Sequence, residues 1–272
     1  MKVKLSELLL VFESVWPQSG ADEWDQVGLA SGSIDQKINR VLLCVDPTLA
    51  VLQEAKAKKY QLVVSHHPLF LEGVHTVAEG ELKGDIVSFA ITNSIALFSA
   101  HTNADIVPGG VSDVLASKIG LKNCAPLVAT TGDCGHGRIG NLDQPMTVLE
   151  LAQRINEILP ASFAPIRVAG DSAKVVSKIA VVGGSGASFL PDAISAGAEV
   201  FVTSDLKHHV SLDAVSDQAT NIALIDISHF AAESLWLAPA AAQLSQLVPE
   251  VEFAVSEKIT DPWSLTIPGK LS

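Results

Sequence analysis

Residues 61–70, QLVVSHHPLF, decide the fold class. The short aliphatic run at 61–65 reads as a strand, and it breaks off at two histidines and a proline. Pro68 has no N–H to give to a ladder, so the strand stops there and both imidazoles are released at its carboxyl end. Upstream lies a second strand candidate, RVLLCVD (40–46), and downstream a third, IALFSA (95–100), with helical patterns at 48–59 and 83–93 between them. Strands alternating with helices in this way form a largely parallel sheet covered by helices.

Working outward, LSELLLVFESV (5–15) has the apolar spacing of an amphipathic helix, with Ser6 as a possible N-cap and Pro17 shortly after it. WDQVGL (24–29) reads as a turn leading into the domain, and VSDVLASKIG (111–120) as a helix stopped by Gly120. The glycine-rich LVATTGDCGHGRIGN (127–141) marks a boundary, because alternation restarts beyond it. A helix at 147–159 is followed by a strand at 177–182, a helix at 188–197, strands at 199–203 and 222–226, and a long helix at 231–247. The expectation is therefore two α/β lobes with mostly parallel sheets, 1–125 and 126–272, the last helix or strand packing back on the first lobe.

Composition narrows the function. Of 272 residues, 48% are apolar and 18% charged, enough for a packed core without disulfide staples. Lys and Arg number 18 against 30 Asp and Glu, a net charge of −12 that repels phosphate backbones, and no basic run offsets it; nucleic acid is not the expected partner. Cys44, Cys124 and Cys134 are odd in number and contain no CxxC pair, which argues against a disulfide framework or a thiolate zinc site. No apolar run approaches a membrane span, and Glu7 and Glu13 interrupt the apolar N-terminal stretch, so the protein is expected in the cytoplasm, off the membrane.

The unusual polar motifs all follow strand candidates, where the loops of an open α/β sheet converge on ligands. His66 and His67 are neighbours in extended chain and point apart, so they suit two nearby ions. HTNAD offers His101 and Asp105, an imidazole and a carboxylate able to bridge metals. ISHFAAE places His229 and Glu233 four apart, on one face of a helix. In TSDLKHH, Lys207 could hold an anionic substrate, and His208 or His209 could move protons near neutral pH. GGSG, with Gly183, Gly184 and Gly186, either turns its backbone N–H groups toward a phosphate or simply makes a tight turn. It lacks the third glycine of a dinucleotide fingerprint, and Ser185 lacks the spacing of a nucleophile elbow. Taken together, His66, His67, Asp105, His229 and Glu233 form a metal-ligand set of mixed nitrogen and oxygen donors, suited to zinc, iron or manganese.

In this order, WDQVGL, SHHPLF, HTNADIVPGGVSDVLA, GRIGNL, IAVVGGSG, TSDLKHH and SHFAAES resemble the Nif-three-like dinuclear metal-centre proteins, also called type 2 homologues of GTP cyclohydrolase I. The resemblance runs from about residue 5 to about residue 260. It implies two divalent ions per chain between two α/β lobes, at the carboxyl ends of the strands, and a toroidal homohexamer. It carries metal ligation onto the same five residues, and places His101 and His209 close to the metals as groups that support the ligands or transfer protons; Lys207 and Gly184 are, from the residues themselves, the ones expected to hold substrate. The implied activity is metal-dependent hydrolysis of a small molecule; on the cyclohydrolase reading it opens a purine nucleotide ring at C8 with release of formate. A two-metal phosphoesterase or amidase would use the same ligands, and a non-catalytic metal-binding ring protein is the alternative of a different class. The chain departs from the family pattern at Ser204, Ser228, Phe230 and Ala232, where glycine, glycine, tyrosine and serine are usual; the five ligands stay in place, and hydroxyls that would contact substrate are lost.

Overall fold

A computed structural model describes residues 3–217, 219–267 and 269. At the start of the chain β1 (Val3–Lys4) runs into α1 (Leu5–Val15), which buries Leu5, Leu8 and Phe12. Lys4, not Ser6, takes the N-cap position: its backbone N–H goes to the Glu7 carboxylate at 2.7 Å, in the manner of a capping box. Next come β2 (Gly28–Ser31), β3 (Lys37–Ile38), β4 (Arg40–Cys44), α2 (Leu49–Ala57), β5 (Leu62–Ser65), α3 (Leu82–Thr92) and β6 (Ala96–Ser99). HTNAD, read as a loop, closes a single helical turn, α4 (Thr102–Asp105), before α5 (Val111–Ile119). Gly120 ends α5 at φ 91°, a left-handed cap open to glycine at little cost.

The glycine-rich segment 127–141 holds regular structure. Strands β7 (Lys122–Ala129) and β8 (Gly135–Thr147) form an antiparallel hairpin through it. There follow α6 (Val148–Ile158), β9 (Arg167–Ala169), β10 (Val175–Ser185), α7 (Leu190–Ser195), β11 (Val200–Ser204), α8 (His208–Ser216), β12 (Ala223–Asp226), α9 (His229–Leu247) and β13 (Glu252–Val255). Thr147 caps α6 in a reciprocal box with Glu150, a cap contributing about 1 kcal/mol.

The chain divides into two units. One takes the chain up to Val107 and then Leu237–Thr260; the other takes Pro108–Trp236 and the described residues from Asp261 on. The first holds a five-stranded sheet in the order β13-β4-β5-β6-β2, parallel except for β2 against β6. Strands β4, β5 and β6 are apolar on both faces, and Leu42, Val63 and Leu97 pack with Val51 and Leu52 of α2 and Ile86 of α3. Burying each such side chain contributes about 1.5–3 kcal/mol. The second unit holds a six-stranded sheet, β7-β8-β10-β11-β12-β9, whose centre β10-β11-β12 is parallel and whose other pairs are antiparallel. Its two faces bury separate clusters, one around Val181 and Val202, the other around Phe201 and Leu224. The fold is thus α/β throughout, with antiparallel strands at the margins that strand-helix alternation does not foretell.

Candidate functional site

In the first unit the ladder between β4 and β5 continues past the strands, His66 N–H donating to Cys44 O and His67 N–H to Val45 O, both at 2.9 Å. This fixed backbone, ended by Pro68, sets both imidazoles. His101 follows β6, and its ring closes on the pair: ring centroids lie 5.2 Å from His66 and 5.5 Å from His67. One ligand atom from each of His66, His67 and His101 lies within 4.8 Å of the others. Asp105, at the end of α4, brings Oδ1 to 3.7 Å from His66 Nε2. His101, expected beside the ligands, belongs to the same cluster as His66 and His67.

Each ring is held from behind. His66 Nδ1 lies 3.0 Å from Ala100 O, His67 Nδ1 2.7 Å from Asp46 Oδ1, and His101 Nδ1 2.9 Å from Asp25 Oδ1. The acceptors take an Nδ1–H, so the tautomer is set and Nε2 is the nitrogen each ring would offer a metal. Asp25 is itself fixed by Thr102, through the backbone N–H at 3.0 Å and the hydroxyl at 2.6 Å. Burial works against its ionisation, but these bonds and His101 prevail and hold its pKa at about 2. Trp24, 59% exposed, stands edge-on to His101 at 5.9 Å between ring centroids.

Asp25 and Asp46 were not among the candidates from sequence. A signal for Asp46 existed: Cys44 pairs with Ser65, so two residues on, the same register sets Asp46 beside His67. Asp25 is 76 residues from its histidine and leaves no local trace.

In the second unit His229 and Glu233 share the first turn of α9, with His229 Nε2 2.8 Å from Glu233 Oε1. Asp205 takes the other ring nitrogen, Nδ1 to Oδ2, at 2.6 Å. Asp205 sits just beyond β11 at φ 60°, a left-handed conformation uncommon for a non-glycine residue and worth noting at a site. Burial disfavours the imidazolium, yet Glu233 and Asp205 outweigh it and lift the His229 pKa to about 11. The bond from His229 in turn holds the Asp205 carboxyl below its ordinary value. One imidazole between two carboxylates calls for positive charge, which a divalent cation would provide in place of the proton.

Gly184 is explained by the same carboxylate. At φ 73°, a Cβ there would lie 2.4 Å from Glu233 Oε1 and 3.3 Å from His229 Nε2, so the glycine makes room for the donors themselves. Lys207 and His209 are exposed, and no hydrogen bond or ion pair joins either to His229 or Glu233 among the described residues. Of the four departures, Ala232 and Ser204 are fully buried, Ala232 in the apolar cluster with Leu115 and Val181. Ser228 is the N-cap of α9, its Oγ accepting the Ala231 N–H at 3.2 Å, and Phe230 is half-buried.

The donor chemistry of both sets, imidazole nitrogens with carboxylate oxygens, fits zinc, iron or manganese. No helix of the described residues is long and apolar enough to cross a membrane.

The chain is similar to known proteins along nearly its whole length. A Streptomyces coelicolor protein named GTP cyclohydrolase 1 type 2 homolog is 42% identical over 269 residues, covering 96% of this chain and 94% of that one. A Clostridium perfringens protein of the same name is 35% identical over 268 residues, covering 96% and 99%. The crystal structure of a Staphylococcus aureus hypothetical protein, 29% identical, matches with a TM-score of 0.90 over 98% of this chain and 100% of that one. A Bacillus cereus protein related to NIF3 shares the fold, with a TM-score of 0.92 at 23% identity over 98% and 100%. The family model Duf34/NIF3 (NGG1p interacting factor 3) matches residues 3–262, and the chain belongs to that family.

Proposed function

We propose that the chain is a metal-dependent hydrolase in which His66, His67, Asp105, His229 and Glu233 together hold two divalent ions, zinc, iron or manganese. The observation that carries this reading is the anchoring of four imidazoles by the same nitrogen: His66, His67, His101 and His229 each engage Nδ1 with a carbonyl or carboxylate. Packing alone does not require that pattern, whereas metal-ligating histidines almost always show it. Divalent ions in such a centre supply Lewis acidity and an activated water nucleophile.

The chain's own residues supply the rest. Asp46, Asp25 and Asp205 fix the tautomer and orientation of their rings, so that no reorganisation is needed when substrate binds. Lys207, exposed two residues after Asp205, provides a cation for an anionic group, and Trp24 offers a planar face beside His101. His101 and His209 are assigned proton transfer in this reading. The names of the relatives point to a purine nucleotide as the small-molecule substrate. On the family pattern the working form is a cytoplasmic homohexameric ring.

The test is elemental mass spectrometry on protein purified without chelator or nickel resin, followed by turnover of purine nucleotides. About two equivalents per chain, lost in the His67→Ala/Glu233→Ala double variant together with turnover, is the expected result. A stoichiometry near zero that added metals do not restore overturns the reading.

A further inference from the structure

We propose that the segment Ser256–Asp261 is a strap that positions the metal ligands, with Thr260 and Asp261 as its two positioning residues; the proposal rests on the metal-binding reading above. After β13 the chain is pinned step by step. Ser256 donates its hydroxyl to Glu54 Oε2 at 2.6 Å, and Glu257 N–H donates to Glu54 Oε1 at 3.2 Å. Glu54 is a buried carboxylate on α2, so this anchor is fixed in the core of the first unit. The strap then delivers the Thr260 hydroxyl to Asp46 Oδ2, while the other oxygen of the same carboxylate holds His67 Nδ1 at 2.7 Å. Thr260 therefore fixes the plane of the carboxylate that fixes the ring. Loss of this bond removes one of the restraints on the carboxylate that orients His67.

The next residue does the corresponding work in the second unit. Asp261 Oδ2 accepts from Ser228 Oγ at 2.9 Å and from Ser162 Oγ at 2.5 Å. Ser228 caps the helix that carries His229 and Glu233, its oxygen receiving the Ala231 N–H. With its proton given to Asp261, the Ser228 oxygen is turned to accept at the helix terminus, which holds the first turn of α9 in register. Consecutive residues thus act on a ligand of each unit, each through one intermediary. This also gives Ser228 a purpose where the family pattern has glycine.

The experiment is a zinc titration in competition with a chelating dye, on full-length Thr260→Val and Asp261→Ala, with Thr260→Ser and Asp261→Asn as conservative partners. It is run at a temperature where circular dichroism shows every metal-free variant folded, so that a loss of global stability does not register as lost affinity. Zinc binding at least about tenfold weaker in Thr260→Val and Asp261→Ala, restored by Thr260→Ser and Asp261→Asn, is the expected outcome. Parental affinity in both disruptive variants overturns the strap while leaving the metal centre standing. Failure of the unaltered protein to take up zinc, or any other divalent ion, overturns the reading beneath it instead.

Discussion

In the first unit three imidazoles gather with one carboxylate, and each ring rests on its own acceptor. In the second, one imidazole lies between two carboxylates, Asp205 and Glu233. The first set is nitrogen-rich and would draw a cation chiefly by donor strength; the second would draw it chiefly by charge. The difference shows in the metal-free state, where His229 holds a proton up to about pH 11 because only a cation satisfies its neighbours. A metal ion entering the second set would therefore displace a proton, and its loading should fall as the solution is acidified, which a zinc titration against pH checks.

The largest expected effect separates the two sets directly. Glu233→Ala removes the charge that defines the second, and metal content by elemental analysis falls from about two per chain to about one, with turnover reduced by more than about 100-fold. His66→Ala, struck in the first set, leaves the carboxylate-rich set loaded; loss of both ions from either single variant would show that the sets do not fill independently. Gly184→Ala comes next. Its Cβ meets Glu233 at 2.4 Å from a left-handed backbone, so thermal unfolding records a loss of about 1–3 kcal/mol, and zinc affinity falls in the second set alone.

Two further changes sharpen the contrast by leaving both donor sets intact. Glu54 is buried, which favours its neutral form, but bonds from Ser256, Lys58 and the Glu257 N–H win and lower its pKa below 4.5. Its contribution to stability is thus present above pH 4.5 and disappears as pH falls through the lowered folded value. Glu54→Gln should cost about 1–3 kcal/mol in urea unfolding at pH 7, converging on the parent in acid. The smallest effect belongs to Ser204, whose fully buried Oγ has no hydrogen-bond partner among the described residues. Ser204→Ala should raise stability by about 1 kcal/mol in the same assay, since an orphaned hydroxyl is relieved.

The strands of the first unit are legible in the sequence because β4, β5 and β6 are short unbroken apolar runs, each ended by a polar motif. The hairpin β7–β8 is not, because its glycines, prolines and exposed alternation mimic a loop until each strand has the other to pair with. Strand β13 is hidden for the same reason: only four residues long, it exists through its partner β4. At the site, His229 and Glu233 announce themselves by helical spacing. Their counterpart Asp25 does not, because a bond across 76 residues depends on tertiary folding alone. Gly184 was noticed as a glycine of a turn, but its relation to Glu233 follows from the side chain of another element.

The pairing of β13 with β4 also governs how the protein is made. Residues 252–255 lie alongside residues 40–43, so the edge of β4 emerges from the ribosome long before the strand that covers it. Synthesis proceeds at about 5–20 residues per second, which leaves that apolar edge open for about ten seconds or more while the second unit is being translated. The unit begun first is finished last. An uncovered edge of this kind is where a nascent chain is most exposed to mispairing, and ribosome-bound chaperones would find their substrate there.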